Sequence, residues 1–449
     1  MQGWPAVVYR CRKMNFQSLL SRRGLLKLGP LSVAASLVPN AAPAADRQAK
    51  HCIFIMLQGG PSHIDLWDPK PKASTDVRGP FTTNSTSVPG IQFGEPMSET
   101  CKVAHHLAVI RSMTHKFTNH IAGTYVTLTG STNQPDRDRE AHADDFPGPA
   151  AILSLVAASH RGIPTAVSLP GWLSIPGPSN RMPGQYGGFL GSVYDPFLLK
   201  GDPQKPDYRP LALGLPKEVS RQRLVDRKTL SKQLDRTAHL IEAELNRQVD
   251  RLTESAYTLV SDGRLQRALD LSEESAATKA RYGATRIGQS LLIARRLVEI
   301  GVPYVAYNAF NQEWDTHGAL KGRYQQIVPP MDQAYAALIQ DLHERGLLDD
   351  TLVVNTGEFG RTPKMNQKQG RDHWPNAYST VLAGGGIRGG LCWGQTDRQG
   401  GEVLEGAVSP RDVLATMWRQ LGLDPRTEIR DRVGRPHLIS DGRVLRELT

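Results

Sequence analysis

Histidines and carboxylates recur in three short segments of the sequence, and together they could bind a divalent metal ion. Residues 59–68 contain His63 and Asp65, and residues 308–318 contain Asp315 and His317. Glu358 and His373 lie close together further along the chain. Carboxylates and neutral imidazoles are the donors that zinc takes, while calcium and magnesium prefer the oxygens. The sequence therefore predicts these side chains as metal ligands: His63, Asp65, Asp315, His317, Glu358 and His373.

Each segment follows an apolar run that is typical of a buried strand. The runs that precede the three segments are residues 51–57, 302–307 and 351–355. Residues 379–383 are a fourth run of the same kind. Taken singly, one of these polar side chains is as readily a turn cap or a structural hydrogen-bonding group. Ligands of open α/β sheets bind beyond the carboxyl ends of the strands. The recurrence of histidine and carboxylate after three separate strands therefore favours a shared metal site.

Helical patterns alternate with these strands and indicate the fold class. Apolar residues recur every three or four positions in residues 230–252, 287–298 and 331–344, and residues 146–157 are typical of a shorter helix. Uniformly apolar strands between such helices predict an α/β fold with a mainly parallel central sheet and helices on both faces. We expect one such domain over residues 46–449, with a helical insertion at about 216–300.

The net charge of +10 is concentrated at the N-terminus. Residues 1–45 hold six basic and no acidic residues. Within them, the basic stretch is followed by a short apolar run and then by the small-residue pattern of Ala42 to Ala44. The Ser21-Arg22-Arg23 start is similar to a twin-arginine export signal. We expect a signal peptide over residues 1–45, passage through the twin-arginine export machinery, and a periplasmic or extracellular protein. No stable transmembrane segment is expected once the signal is cleaved.

The motifs resemble those of an exported, sulfatase-like bacterial family known as domain of unknown function 1501, within the alkaline phosphatase and sulfatase superfamily. The resembling segments are residues 59–71, 314–318, 357–363 and 370–375. The resemblance implies an alkaline phosphatase and sulfatase-like fold. It also aligns Asp315 and His317 with an Asp/His pair of the superfamily, and His373 with its last histidine ligand.

The sequence departs from the superfamily at the position of the nucleophile. Counting back ten residues from Gly130 reaches His120 instead of Ser, Thr or Cys, and Thr118 is the nearest hydroxyl. Glu358-Phe359 stands where the superfamily has an acid–histidine pair, so one imidazole is missing. Gln58 replaces an early carboxylate, for which His63 and Asp65 would substitute.

Two functions remain open at this stage. The first is a metal-dependent hydrolase of phosphate or sulfate esters, with small molecules or glycans as substrates. A metal-bound hydroxide, or His120 acting as nucleophile or base, would take over the role of the missing Ser or Cys, and Arg111 and Arg361 would hold the anion. The second is a degenerate superfamily member that binds an anionic glycan or a cell-surface partner without turnover. Nucleic acid is not expected as a partner, because the charge excess over residues 46–449 is only +4 and no recognition motif is present.

Overall fold

The computed structural model describes residues 49–156, 163–176, 181–205, 208 and 263–449. The expected signal peptide and the expected helix at 230–252 lie outside these residues. The strands, in chain order, are β1 His51–Met56, β2 Thr83–Ser85, β3 Gln92–Gly94, β4 Leu107–Met113, β5 Ala166–Leu169, β6 Phe197–Leu198, β7 Tyr304–Asn308, β8 Thr351–Thr356, β9 Gly360–Arg361, β10 His373–Trp374, β11 Tyr378–Ala383, β12 Leu391–Trp393, β13 Gln395–Thr396, β14 Val403–Glu405, β15 Glu428–Arg430 and β16 Pro436–Leu438.

The α-helices of the described residues are likewise numbered along the chain. They are α1 Thr75–Arg78, α2 Ser98–Lys102, α3 His120–Thr129, α4 Pro149–Val156, α5 Gly263–Leu269, α6 Ala276–Tyr282, α7 Arg286–Glu299, α8 Leu320–Glu344 and α9 Pro410–Gln420. Within the expected insertion, the described part from residue 263 onward holds α5, α6 and α7. In the described part of the chain, no helix combines the length and the apolar character needed to cross a membrane.

Eight strands form the central sheet in the order β12-β4-β11-β8-β1-β7-β5-β6. Strand β1 pairs in parallel with β7 and β8, and β5 pairs in parallel with β6 and β7. Strand β11 is antiparallel to both of its neighbours, β4 and β8. The link from β8 to β11 carries no helix among residues 357–377, so it cannot make the crossover that a parallel pair requires. The mainly parallel sheet is confirmed, with β11 as the exception.

A separate hydrophobic core covers each face of the sheet. Alternate residues of β1 divide between them, because successive side chains of a strand point to opposite faces. Ile53 and Ile55 pack into the core that contains α7 and α8, whereas Phe54 and Met56 pack into the core that contains α3, α4 and α9. The uninterrupted apolar character of the β1 sequence therefore reflects burial on both faces, and the prediction of helices on both faces is confirmed.

Helix α8 is longer than its sequence pattern predicts. The expected helix starts at residue 331, after Pro329 and Pro330, but the observed one begins at Leu320 and continues through both prolines. Leu320, Tyr324 and Val328 are fully buried at intervals of four residues, so the first half presents the same apolar face to the core. Packing of that face outweighs the unfavourable effect of the prolines on an isolated helix.

Candidate metal centre

The carboxyl ends of three adjacent parallel strands bring the predicted polar segments to one edge of the sheet. In the order β8-β1-β7, each strand runs directly into one of these loops. Strand β1 leads to Gly59, β7 leads to Asp315 and His317, and β8 leads to Glu358. Helix α3 contributes His120, which is its first residue.

Asp315 lies at the centre of this group. Its Oδ1 is 3.1 Å from Nε2 of His317 and 3.4 Å from Nε2 of His373. Its Oδ2 is 3.4 Å from Nε2 of His120. Three imidazoles that are far apart in the sequence therefore direct the same ring nitrogen toward one carboxylate.

The other nitrogen of each imidazole, Nδ1, is held by an oxygen acceptor. Nδ1 of His317 is 2.6 Å from Oδ1 of Asp372, and Nδ1 of His373 is 2.6 Å from the carbonyl oxygen of Thr118. Nδ1 of His120 is 2.5 Å from Oε1 of Glu358. Because these acceptors need an N–H, each Nδ1 carries a proton, and a ring in its neutral form presents the Nε2 lone pair toward Asp315.

The donor set suits a divalent metal ion held by Asp315, His317 and His373. The Nε2 atoms of His317 and His373 are 3.0 Å apart, and both lie within 3.4 Å of Asp315 Oδ1. Two bare lone pairs at this distance repel each other, so either a proton or a metal ion must lie between the two nitrogens. Zinc–nitrogen bonds of about 2.0–2.1 Å place tetrahedral ligands roughly 3.3 Å apart, which matches this spacing. Oxygen acceptors behind ligating imidazoles are the usual outer support of such sites.

His120 lies beside this triad and is more deeply buried. Together with Asp315 and His373 it offers ligand atoms that lie within 4.8 Å of one another. Its buried Nε2 has no well-directed hydrogen bond. Glu358, which holds its Nδ1, is fully buried and also accepts the Gly59 N–H at 2.8 Å. His120 and Glu358 therefore form a buried histidine–carboxylate pair at the wall of the site.

The charges of the site shift two ionisation equilibria in opposite directions. Burial alone would lower the pKa of His120, but the carboxylates of Asp315 and Glu358 outweigh it and raise that pKa to about 9. Burial alone would raise the pKa of Asp315, but His120, His373 and the Arg361 guanidinium hold it well below its usual range. In the metal-free protein, His120 is therefore a cation and Asp315 an anion at neutral pH.

Arg361 positions Asp315, in contrast to the predicted contact with an anionic substrate. The guanidinium is fully buried and donates through Nη2 to Asp315 Oδ1 at 2.7 Å. It also donates to the carbonyl oxygens of Gly59, Gly60 and Arg371. Arg361 thus ties the loops after β1, β7 and β8 together, and four of its five N–H groups are bonded within the protein.

Arg111 and Thr118 also have partners other than a substrate. Arg111 donates to the carbonyl oxygens of Trp67 and Gln92 at 3.0 and 3.1 Å. The Thr118 hydroxyl donates to the Asp136 carboxylate at 2.8 Å, while the Thr118 carbonyl accepts from His373. The contribution of Thr118 to the site is therefore its backbone oxygen.

The structure does not bring His63 and Asp65, both predicted as ligands, to the group of Asp315, His317 and His373. Asp65 is buried in an ion pair with Arg371, whose Nε is 2.8 Å from Asp65 Oδ2. Nε2 of His63 is 2.7 Å from the carbonyl oxygen of Gly400, and burial lowers the pKa of this imidazole. Both side chains follow β1, but the loop directs them into the protein interior, where they have other partners.

The sequence patterns do not predict Asp372 and Asp136 as residues of the site. Asp372 orients His317, and its position directly before His373 was the available signal. Asp136 accepts hydrogen bonds from Thr118 and Asn119, and no short sequence pattern links these residues. Phe359, which follows Glu358, is buried and packs against the rings of both His120 and His373.

The fold and site together define a mainly parallel α/β protein with a histidine–aspartate centre at its strand ends. The chain belongs to the family described as "Protein of unknown function (DUF1501)", whose model matches residues 49–449. This confirms the family predicted from the motifs. None of the curated proteins matches the chain.

Several solved structures are similar to this chain at low sequence identity. One is the lipoteichoic acid synthase LtaP from Listeria monocytogenes, with 10% identity, a TM-score of 0.42, and coverage of 84% of this chain and 73% of that one. Another is the PsFucS1 sulfatase from Pseudoalteromonas sp., with 12% identity, a TM-score of 0.37, and coverage of 84% of this chain and 68% of that one. A third is the alkaline phosphatase from the Antarctic bacterium TAB5, with 8% identity, a TM-score of 0.36, and coverage of 84% of this chain and 99% of that one. The family assignment rests on the match of the family model and not on these distant likenesses.

Proposed function

We propose that the protein is an exported, metal-dependent hydrolase of phosphate or sulfate esters. The observation that carries this proposal is the arrangement of His120, His317 and His373 around Asp315. Each imidazole has Nδ1 on an oxygen acceptor and Nε2 within 3.4 Å of the carboxylate. Supports of this kind fix the tautomer of a ligating imidazole, and a purely structural hydrogen-bond cluster would not need all three.

Asp315, His317 and His373 would hold the ion. A divalent metal ion bound there would act as a Lewis acid toward an ester oxygen and would lower the pKa of water. The side chains of His317 and Asp372 are 43% and 53% exposed, so substrate would enter on their side. His120 would exchange a proton through Nε2 while Glu358 holds its Nδ1.

One observation favours the second candidate, a member of the family that binds an anionic glycan or a cell-surface partner without turnover. Arg361 and Arg111, the arginines expected to hold the substrate anion, donate to Asp315 and to backbone oxygens. In a hydrolase, the ion itself would therefore have to neutralise much of the charge of the ester.

The test compares the wild-type chain with the double variant Asp315→Asn, His317→Ala. Both are loaded with zinc, magnesium or calcium, analysed for bound metal, and assayed against aryl and glycan esters of phosphate and sulfate. We expect the double variant to lose both bound metal and hydrolysis. The control is His437→Ala, because His437 forms a comparable pair with Asp431 at 3.2 Å on the β15–β16 hairpin, away from the strand-end loops.

Three outcomes separate the candidates. Metal and hydrolysis lost only in the double variant support the hydrolase. Unchanged metal content in the double variant overturns the proposed centre. A wild-type protein that is fully loaded with metal yet hydrolyses none of the esters supports the binding function.

A further inference from the structure

The segment of residues 114–119, between β4 and α3, contacts two of the histidines of the site. The Thr118 carbonyl accepts the Nδ1–H of His373 at 2.6 Å. Asn119 caps α3, because its side-chain oxygen accepts the N–H groups of Ile121 and Ala122. The helix that it caps begins with His120. The placement of this segment therefore sets the orientation of His373 and the position of His120.

Asp136 holds this segment in place from the loop that follows α3. Its Oδ1 accepts the Asn119 N–H at 2.9 Å, and its Oδ2 accepts the Thr118 N–H at 3.0 Å and the Thr118 hydroxyl at 2.8 Å. Asp138 adds a bond from the Asn119 side-chain amide at 2.7 Å. Partial burial raises the pKa of Asp136, but the bonds from Thr118 and Asn119 outweigh it and hold the pKa below its ordinary value.

We propose that Asp136 is a positioning residue of the metal centre, which it supports through Thr118 and Asn119. This inference rests on the proposed function, because it requires that His373 bind a metal ion. Both oxygens of Asp136 are occupied by backbone and hydroxyl donors, so the carboxylate acts through this segment.

Removal of the Asp136 carboxylate leaves the Thr118 and Asn119 N–H groups without their acceptor. The segment then shifts, and the Thr118 carbonyl no longer directs the His373 ring. Asp136 lies at the protein surface, so its replacement creates no cavity in either core. The expected effect is therefore on the geometry of the metal centre and not on folding.

The experiment titrates the metal-free, full-length chain with Co²⁺ alone and follows the visible absorption of the bound ion. We expect Asp136→Ala to weaken Co²⁺ binding about 10–100-fold, the range typical for loss of an outer support, and to shift the absorption bands. Asp136→Asn retains one acceptor oxygen and should give an intermediate affinity. The control is Asp144→Ala, which removes the same charge from an exposed position in the same loop.

The outcomes distinguish this inference from the proposed function. Unchanged Co²⁺ affinity and absorption in Asp136→Ala, with binding intact in the wild type, overturn the role of Asp136 alone. An equal loss in Asp144→Ala also overturns it, because the effect would then come from bulk charge. A wild-type protein that binds no Co²⁺ overturns the proposed metal centre, and the role of Asp136 with it.

Discussion

His120 is the residue whose role in the site differs most from those of its neighbours. The Nε2 atoms of His317 and His373 are near Oδ1 of Asp315, whereas Nε2 of His120 is near Oδ2. His120 is also paired through Nδ1 with the buried Glu358. A histidine oriented by a carboxylate is a common general acid–base arrangement. The lone pair that would bind a metal ion is the same one that would take up a proton, so the two roles exclude each other.

We predict that His120→Ala retains bound metal and loses hydrolysis. Asp315, His317 and His373 remain to hold the ion, while proton transfer loses its donor and acceptor, for which a fall in kcat of roughly 10²–10⁴-fold is typical. The measurement is metal content together with kcat on the best substrate, compared with His437→Ala. Loss of metal together with activity would instead place His120 among the ligands.

At the scale of elements, the close contact between the loops after β1 and β7 depends on Gly59. This residue has φ of +115°, and a Cβ placed there would lie 2.5 Å from the backbone nitrogen of Asp315 and 2.7 Å from that of Trp314. Gly59 also binds Glu358 through its N–H. Any side chain at this position would push apart the loops that carry the site.

We predict that Gly59→Ala weakens metal binding and destabilises the fold. The matched control is Gly90→Ala, because Gly90 also has a positive φ of +86°, but a Cβ at Gly90 would meet nothing within 4 Å. Both substitutions carry the backbone cost of a positive φ, which is on the order of 1–3 kcal/mol. Only Gly59→Ala adds the steric contact with the backbone of the Asp315 loop. Equal unfolding free energies and equal metal affinities in the two variants would contradict this role of Gly59.

The sequence predicts the elements that position the site better than it predicts the site itself. Strands β1, β7 and β8 are largely apolar, and such runs directly signal burial on both faces. Their parallel pairing then brings Asp315, His317 and Glu358 to one edge of the sheet. The pairing of Asp65 with Arg371 joins residues 306 positions apart, and no local pattern records it. Asp65 therefore resembles a ligand in sequence and is an anchoring residue in the structure.

At the scale of the whole molecule, the expected twin-arginine signal would determine where the protein acts. Residues 1–45 carry six of the net positive charges, and no acidic residue offsets them. The resulting surplus over the rest of the chain is small, so bulk charge would not account for the proposed binding of an anionic ester. The anion would be recognised at the strand-end loops.

We predict that the double substitution Arg22→Lys, Arg23→Lys retains the full-length precursor inside the cell. Twin-arginine machinery recognises the pair of arginines, and lysine preserves the charge without the guanidinium. Cell fractionation and immunoblotting measure the distribution. The control is Arg10→Lys, Arg12→Lys, which changes two arginines outside the pair. Normal export of the Arg22, Arg23 variant would contradict passage through this machinery.

The most direct test of the central claim is an anomalous diffraction map of crystals grown with Zn²⁺, recorded at the zinc absorption edge. We predict a peak about 2.0–2.2 Å from Oδ1 of Asp315 and from Nε2 of His317 and His373. The same map for His373→Ala should lack the peak or show it strongly reduced. A wild-type map without zinc at Asp315, or with zinc held only by other residues, would contradict the assignment of this centre.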